Sequence, residues 1–190
     1  MKNIYKSYIA YLKTHQHEFL NRYLIFDLPY VLLRKNNEDS VLRAKGVFFS
    51  GNKLVEYLFK GQKFTMHRIY DPAAGCGDLL LRYLDNTECY ATFESTIHEW
   101  EENVFGAELE KAFIKLLKLR LWLLAYYKFH SKCRISQIAL PDLDNRFLGV
   151  VHCDGLEYLP PLKPSLIMMN PPFQQINSNA EYSWCSGKVS

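Results

Sequence analysis

The chain reads as an α/β protein with a doubly wound parallel sheet, and three observations carry that reading. An apolar run at residues 64–70 leads into the glycine-bearing turn Asp71-Pro72-Ala73-Ala74-Gly75-Cys76-Gly77, and Asp78-Leu79-Leu80-Leu81-Arg82-Tyr83-Leu84 then opens a helix. Further short apolar runs at 104–107, 150–153 and 166–169 read as strands, the first of them followed by a helix-like stretch over 108–129. Strands alternating with helical segments imply parallel neighbours, because each strand must return to the same end of the sheet through a crossover.

Taken in order, residues 3–33 place Ile4, Tyr8, Ile9, Tyr11, Leu12, Phe19, Leu20, Tyr23, Leu24 and Ile25 at spacings of three and four, which suits amphipathic helices. Asp27-Leu28-Pro29 interrupts them, since a proline disfavours helix at the residue before it. Residues 34–45 are polar and read as a loop. A helix is expected over 52–59, with Asn52 as its N-cap and Gly61 ending it. Strand is expected at 65–70, turn at 71–77, and helix from Asp78. The stretch 86–103 reads as an insertion before the second strand. The organisation is thus an N-terminal helical extension (1–45), a core with the first four strands of a parallel sheet (46–173), and a polar tail (174–190).

With 190 residues, 48% of them hydrophobic, the chain has apolar material for one core. Its 13 Tyr and 12 Phe argue against disorder. A net charge of +3 neither supports nor excludes a nucleic-acid partner. The five cysteines are odd in number and lack C-x-x-C spacing, so reduced thiols, a cytoplasmic setting and no metal site are expected. The N-terminus lacks the apolar segment of a signal peptide, and no apolar run approaches membrane-spanning length.

The chemistry concentrates at the ends of the expected strands. Glycines at 75 and 77 permit positive φ and close approach of a ligand to the backbone. The following helix N-terminus offers free N–H groups to an anionic group. The third glycine of the dinucleotide fingerprint is missing, and Asp71 would face a pyrophosphate, which disfavours NAD. Glu108, at the end of the second strand, suits a ribose diol, while Glu110 is expected exposed on the first helical turn. Asp154 ends the third strand. His152 and Cys153 beside it read as packing or edge residues, and Cys76 as a small spacer between glycines. In Asn170-Pro171-Pro172-Phe173, two prolines remove two N–H donors, leaving carbonyls and the Asn amide oxygen as acceptors. Such a surface accepts both hydrogens of a planar NH₂ group, and Phe173 offers a face for an extruded base.

The Asp71 loop and the Asn170-Pro171-Pro172-Phe173 segment, in this order, resemble motifs I and IV of the S-adenosylmethionine-dependent amino-methyltransferases, especially the adenine-N6 DNA methyltransferases of restriction-modification systems. Gly46-Val47-Phe48-Phe49-Ser50-Gly51-Asn52-Lys53-Leu54-Val55 resembles motif X, which precedes motif I in the gamma arrangement. It carries Phe49-Ser50-Gly51 where the family usually has Tyr/Phe-Thr-Pro.

The resemblance spans about residues 45–173 and implies a Rossmann-like methyltransferase fold with S-adenosyl-L-methionine as cofactor and DNA as partner. It implies that Asp71, Ala73, Gly75 and Gly77, with Phe49 and Ser50, hold the cofactor's methionine end, an acid at 71 suiting the positively charged amino group. Glu108 then takes the ribose and Asp154 the exocyclic amine of the cofactor's adenine. Asn170, Pro171, Pro172 and Phe173 receive the target amine. The family's catalytic domain continues beyond motif IV, so a truncated or split enzyme is expected, completed by a second polypeptide that also reads the target sequence. The alternatives are an amino-methyltransferase acting on RNA or protein glutamine, and an inactive cofactor-binding remnant or assembly subunit.

Overall fold

The computed structural model describes residues 3–38, 40, 57, 59–61, 63–130 and 132–170. These form a mixed α/β fold with a four-stranded sheet and six α-helices. The helices are α1 (Ile4–Thr14), α2 (Arg22–Phe26), α3 (Leu28–Asn36), α4 (Asp78–Asp85), α5 (Phe93–Asn103) and α6 (Lys111–Phe129). The strands are β1 (Ile69–Asp71), β2 (Val104–Glu108), β3 (Val150–His152) and β4 (Leu166–Ile167), in the order β3-β2-β1-β4. All three pairings are parallel, with Tyr70 opposite Phe105 on one side and Ile167 on the other, and Ala107 opposite Val151. This order is compatible with a Rossmann-like sheet.

Both faces of β1 and β2 are buried, as the apolar composition of these runs requires for a parallel sheet. One face packs on α4 and α6, with α5 packed against α6. Helix α6 carries twelve buried residues and forms the spine of the core, meeting Leu80, Leu81 and Leu84 of α4, Trp100 of α5, and Tyr8 and Leu24 of the N-terminal helices. Residues on both sides of the expected boundary at 45 thus share one hydrophobic cluster. The Tyr8 hydroxyl donates to the Leu24 carbonyl at 2.7 Å and ties α1 to α2. The other sheet face, lined by Tyr70, Phe105 and Ala107, is covered by Val151, Cys153 and Tyr158.

Several expected boundaries move, each for a local reason. Strand β1 begins at Ile69 rather than 65. The Tyr83 hydroxyl donates to the Thr65 carbonyl (2.8 Å) and accepts from the His67 N–H (3.0 Å), so a side chain satisfies these groups and no neighbouring strand does. Leu28 is helical, because Pro29 occupies the first turn of α3, where a missing N–H costs nothing. The expected loop at 34–45 is helical as far as Asn36. The stretch read as an insertion holds α5, started by a capping box in which Thr92 and Ser95 bond reciprocally. Helix α6 starts at Lys111 because Glu108 still belongs to β2 and Glu110, half-buried rather than exposed, caps the helix. The third and fourth strands are shorter than expected, ending at His152 and Ile167. His152 is exposed on the outer strand, its Nε2 2.8 Å from the Leu109 carbonyl oxygen. Of the expected helix at 52–59, only Tyr57 and Phe59 are described, both helical, followed by Gly61 at φ +73°.

Among the described residues, no helix is long and apolar enough to cross a membrane.

Candidate functional site

From β1 the chain moves to one side to build β2 and β3, and returns to the other side for β4. The direction of winding therefore reverses between β1 and β4. In open parallel sheets, the crevice at the carboxyl ends of the strands beside such a reversal is where ligands bind. Asp71 ends β1 at this point, Glu108 ends β2, and Asp154 follows β3 by two residues. Asn170 follows the Met168 N–H, which donates to the Tyr70 carbonyl at 3.0 Å. Four of the expected site residues thus stand at one edge of one sheet. Phe49, Ser50, Pro171, Pro172 and Phe173 lie outside the described residues.

The turn after β1 is held by its neighbours. The Ala74 N–H donates to the Ala107 carbonyl (2.9 Å), fastening the turn to β2, and the Gly77 N–H donates back to Ala74 (2.7 Å). Glu108 spans the gap between turn and helix. Its Oε2 accepts from the Gly75 N–H and its Oε1 from the Glu110 N–H, both at 2.9 Å. The Leu109 N–H is a third backbone donor to this carboxylate, whose two oxygens can accept about four. Burial raises the Glu108 carboxyl above the ordinary range, while these backbone donors pull the other way.

Asp71 is 2% exposed. Its Oδ1 accepts the Ala73 N–H at 2.9 Å, and among the described residues no cation pairs with it. Burial pushes its carboxyl up to about 7, and the negative charge of Glu108 adds to the rise. A desolvated carboxylate without a counter-charge is costly to maintain. Such groups concentrate where a ligand supplies the missing charge.

The two glycines of the turn differ in purpose. Gly75, at φ +54°, has nothing within 4 Å of where a Cβ would stand, so that direction is open to a ligand. Gly77, at φ +89°, would place a Cβ 2.0 Å from Leu117 Cδ1 of α6, so here the glycine admits a core side chain. Its expected place in the ligand cradle is therefore joined by a packing role. Gly77→Ala is expected to lose about 1–2 kcal/mol from the left-handed backbone alone, plus the cost of displacing Leu117. Gly75→Ala should lose only the backbone part, and urea unfolding of the two variants measures the difference.

Three residues that sequence reasoning did not single out complete the site. Arg120, on α6 and 0% exposed, pairs with Asp78 at 2.9 Å and donates to the Cys76, Ile25 and Phe26 carbonyls. It joins the turn, the first residue of α4 and the end of α2. An arginine inside an apolar helical run (Leu119-Arg120-Leu121-Trp122) was the available signal. Gly155 brings the turn after β3 against the turn after β1, since a Cβ there would fall 1.8 Å from the Pro72 carbonyl oxygen. The Tyr70 hydroxyl donates to the Gly155 carbonyl at 2.9 Å. Burial raises this phenol to about 12, so it remains a donor throughout the ordinary pH range. Cys76 is buried with its thiol pushed far up by desolvation, as befits a spacer rather than a nucleophile.

The structure is thus a mixed α/β protein that gathers Asp71, Glu108 and Asp154 at the carboxyl edge of a four-stranded parallel sheet. No protein-family model matches the chain, and no curated protein matches it either.

Proposed function

We propose that this cleft binds S-adenosyl-L-methionine and that the chain is the cofactor-binding and catalytic part of an adenine-N6 DNA methyltransferase with a Rossmann-like methyltransferase fold. The observation that carries the reading is Asp71: a carboxylate only 2% exposed at the winding reversal, with which no cation pairs among the described residues. An α-ammonium group supplies the missing charge. The residues fit the rest of the cofactor. Open space at Gly75 leaves room beside Asp71, Glu108 retains acceptor capacity for a ribose diol, and Asp154 offers a carboxylate for an exocyclic amine.

S-adenosyl-L-methionine, when bound, supplies an electrophilic methyl group. The chain's task is then to hold a planar amine in line with it, and positioning of this kind supplies much of the acceleration in transfers between two bound partners. Asn170 stands at the same sheet edge, and its amide oxygen suits one hydrogen of that amine. Pro171 and Pro172, lacking N–H groups, leave their own carbonyls as acceptors. Phe173 suits a base taken out of the stack. DNA is the proposed partner and the cytoplasm the proposed setting. A second polypeptide that completes the sheet at β4 belongs to the same proposal, supported by the exposure of Ile167 and Met169 there.

Calorimetric titration with S-adenosyl-L-methionine tests the cleft, and labelled-methyl transfer to DNA, RNA and protein tests the substrate. Saturable 1:1 binding is expected, with label appearing in DNA. Asn170→Ala is expected to abolish transfer while sparing cofactor binding, whereas Asp71→Ala is expected to weaken binding itself. Equal loss of cofactor affinity in both variants would contradict this division of roles. Label in RNA or in protein glutamine alone would transfer the reading to those substrates.

A further inference from the structure

The buried hydroxyl nearest Asp71 in the chain takes no part in the proposed chemistry. Tyr70 is 6% exposed and immediately precedes Asp71 on β1. Neighbouring strand residues face opposite ways, so Ile69 joins the main core while the Tyr70 ring packs on the other sheet face with Phe105 and Tyr158. From there its hydroxyl reaches the carboxyl edge of the sheet. It donates to the Gly155 carbonyl at 2.9 Å and lies 3.4 Å from the Tyr158 carbonyl oxygen.

This bond acts on the turn that bears Asp154. Within the turn, the Glu157 and Tyr158 N–H groups both donate to the Asp154 carbonyl at 3.1 Å. The Leu156 N–H donates to Asp154 Oδ1 at 2.9 Å. The carboxylate is therefore oriented by its own turn, with Oδ2 left for another donor. The turn as a whole is pressed on the Asp71 loop where Gly155 meets the Pro72 carbonyl, a contact that no larger residue could make. Tyr158 closes the arrangement, its ring centroid 5.9 Å from that of Tyr70 and its hydroxyl 3.5 Å from the Gly149 carbonyl oxygen.

We propose that Tyr70 is a positioning residue for Asp154: its hydroxyl sets the Asp154 turn against the Asp71 loop and thereby fixes the spacing between the carboxylates serving the two ends of one ligand. The proposal rests on the reading of the cleft as an S-adenosyl-L-methionine site and assigns Tyr70 to its adenine side. Tyr70→Phe removes one hydroxyl and keeps the ring packing, so the sheet face is preserved.

The test is calorimetry on the full chain with two ligands, S-adenosyl-L-methionine and 5′-methylthioadenosine, the second lacking the amino-acid end. Tyr70→Phe is expected to weaken both by the same factor, about five- to tenfold, as befits one hydrogen bond. Asp71→Asn is expected to weaken only the first. In an Asp154→Asn background, Tyr70→Phe is expected to change S-adenosyl-L-methionine affinity less than twofold, because the group it positions is already disabled. A role confined to stability predicts the same loss in both backgrounds, and that result overturns the proposal, as does unchanged 5′-methylthioadenosine affinity in Tyr70→Phe. Thermal melting of each variant confirms that folded protein is titrated. Absence of S-adenosyl-L-methionine binding to the unaltered chain instead overturns the cofactor reading, and this inference with it.

Discussion

Arg120→Met is expected to lower the free energy of unfolding by about 3–5 kcal/mol, the range for breaking a buried ion pair from one side. The guanidinium is fully enclosed and makes bonds to three backbone carbonyls as well as to Asp78. Methionine fills much of the volume but leaves the Cys76, Ile25 and Phe26 carbonyls without their donor, and leaves Asp78 without its counter-charge. Asp78 is partly exposed, so water recovers part of its solvation, while the carbonyls bear most of the loss. Arg120→Lys keeps the charge but not the planar fork that reaches four acceptors at once. It should fall between the two. Urea unfolding monitored by tryptophan fluorescence ranks the three proteins, and a methionine variant as stable as the original would show that the carbonyls find other donors. Because the Cys76 carbonyl lies between Gly75 and Gly77, the same variants should also loosen the turn beside Asp71.

Asp71→Asn is expected to raise stability above neutral pH and to weaken binding of the proposed cofactor. Burial holds the Asp71 carboxyl at about 7 in the folded chain against an ordinary value of 3.8. Between those values the folded state keeps a proton that the unfolded chain has released. The free energy of unfolding therefore falls as pH rises through this window and levels off above 7. The displacement corresponds to roughly 4 kcal/mol, an upper bound for what asparagine can recover, since its amide hydrogens need partners of their own. Urea unfolding at pH 4, 5.5 and 8 should show the gap between the two proteins opening with pH. In the unaltered chain, affinity for a cationic ligand should rise over the same interval, because only the ionised carboxylate pairs with an ammonium group. A gap that does not widen with pH would mean that Asp71 titrates normally.

These two expectations describe one site from opposite sides. Arg120 ties the turn at the first strand's end to α2 and α4, while the buried Asp71 carboxylate opposes it.

Local pattern was enough to find the turn, the start of α4, and the acids at the strand ends. A strand–glycine turn–helix unit is determined by residues close together in the chain, through backbone sterics and hydrophobic period. The same local logic assigned no helix to 86–103, although the Thr92–Ser95 cap marks α5 there. It placed strand at 65–68, where the hydroxyl of Tyr83, a residue some 16–18 positions away, takes the backbone groups instead. It also treated Gly75 and Gly77 alike, since nothing near Gly77 in the chain announces that Leu117 fills the space beside it.

Local pattern along the chain established an α/β fold with carboxylates at successive strand ends, and offered a motif order that resembles the amino-methyltransferases. The tertiary structure decided that these ends meet at one edge of an all-parallel sheet. Packing also buries Asp71 with no cation paired to it among the described residues, lets Arg120 tie three segments together, and brings the turn at Gly155 against the Asp71 loop. The division has a physical reason. Backbone preference and periodicity are written into neighbouring residues, whereas desolvation, charge pairing and steric fit depend on which distant residues the packed chain brings together.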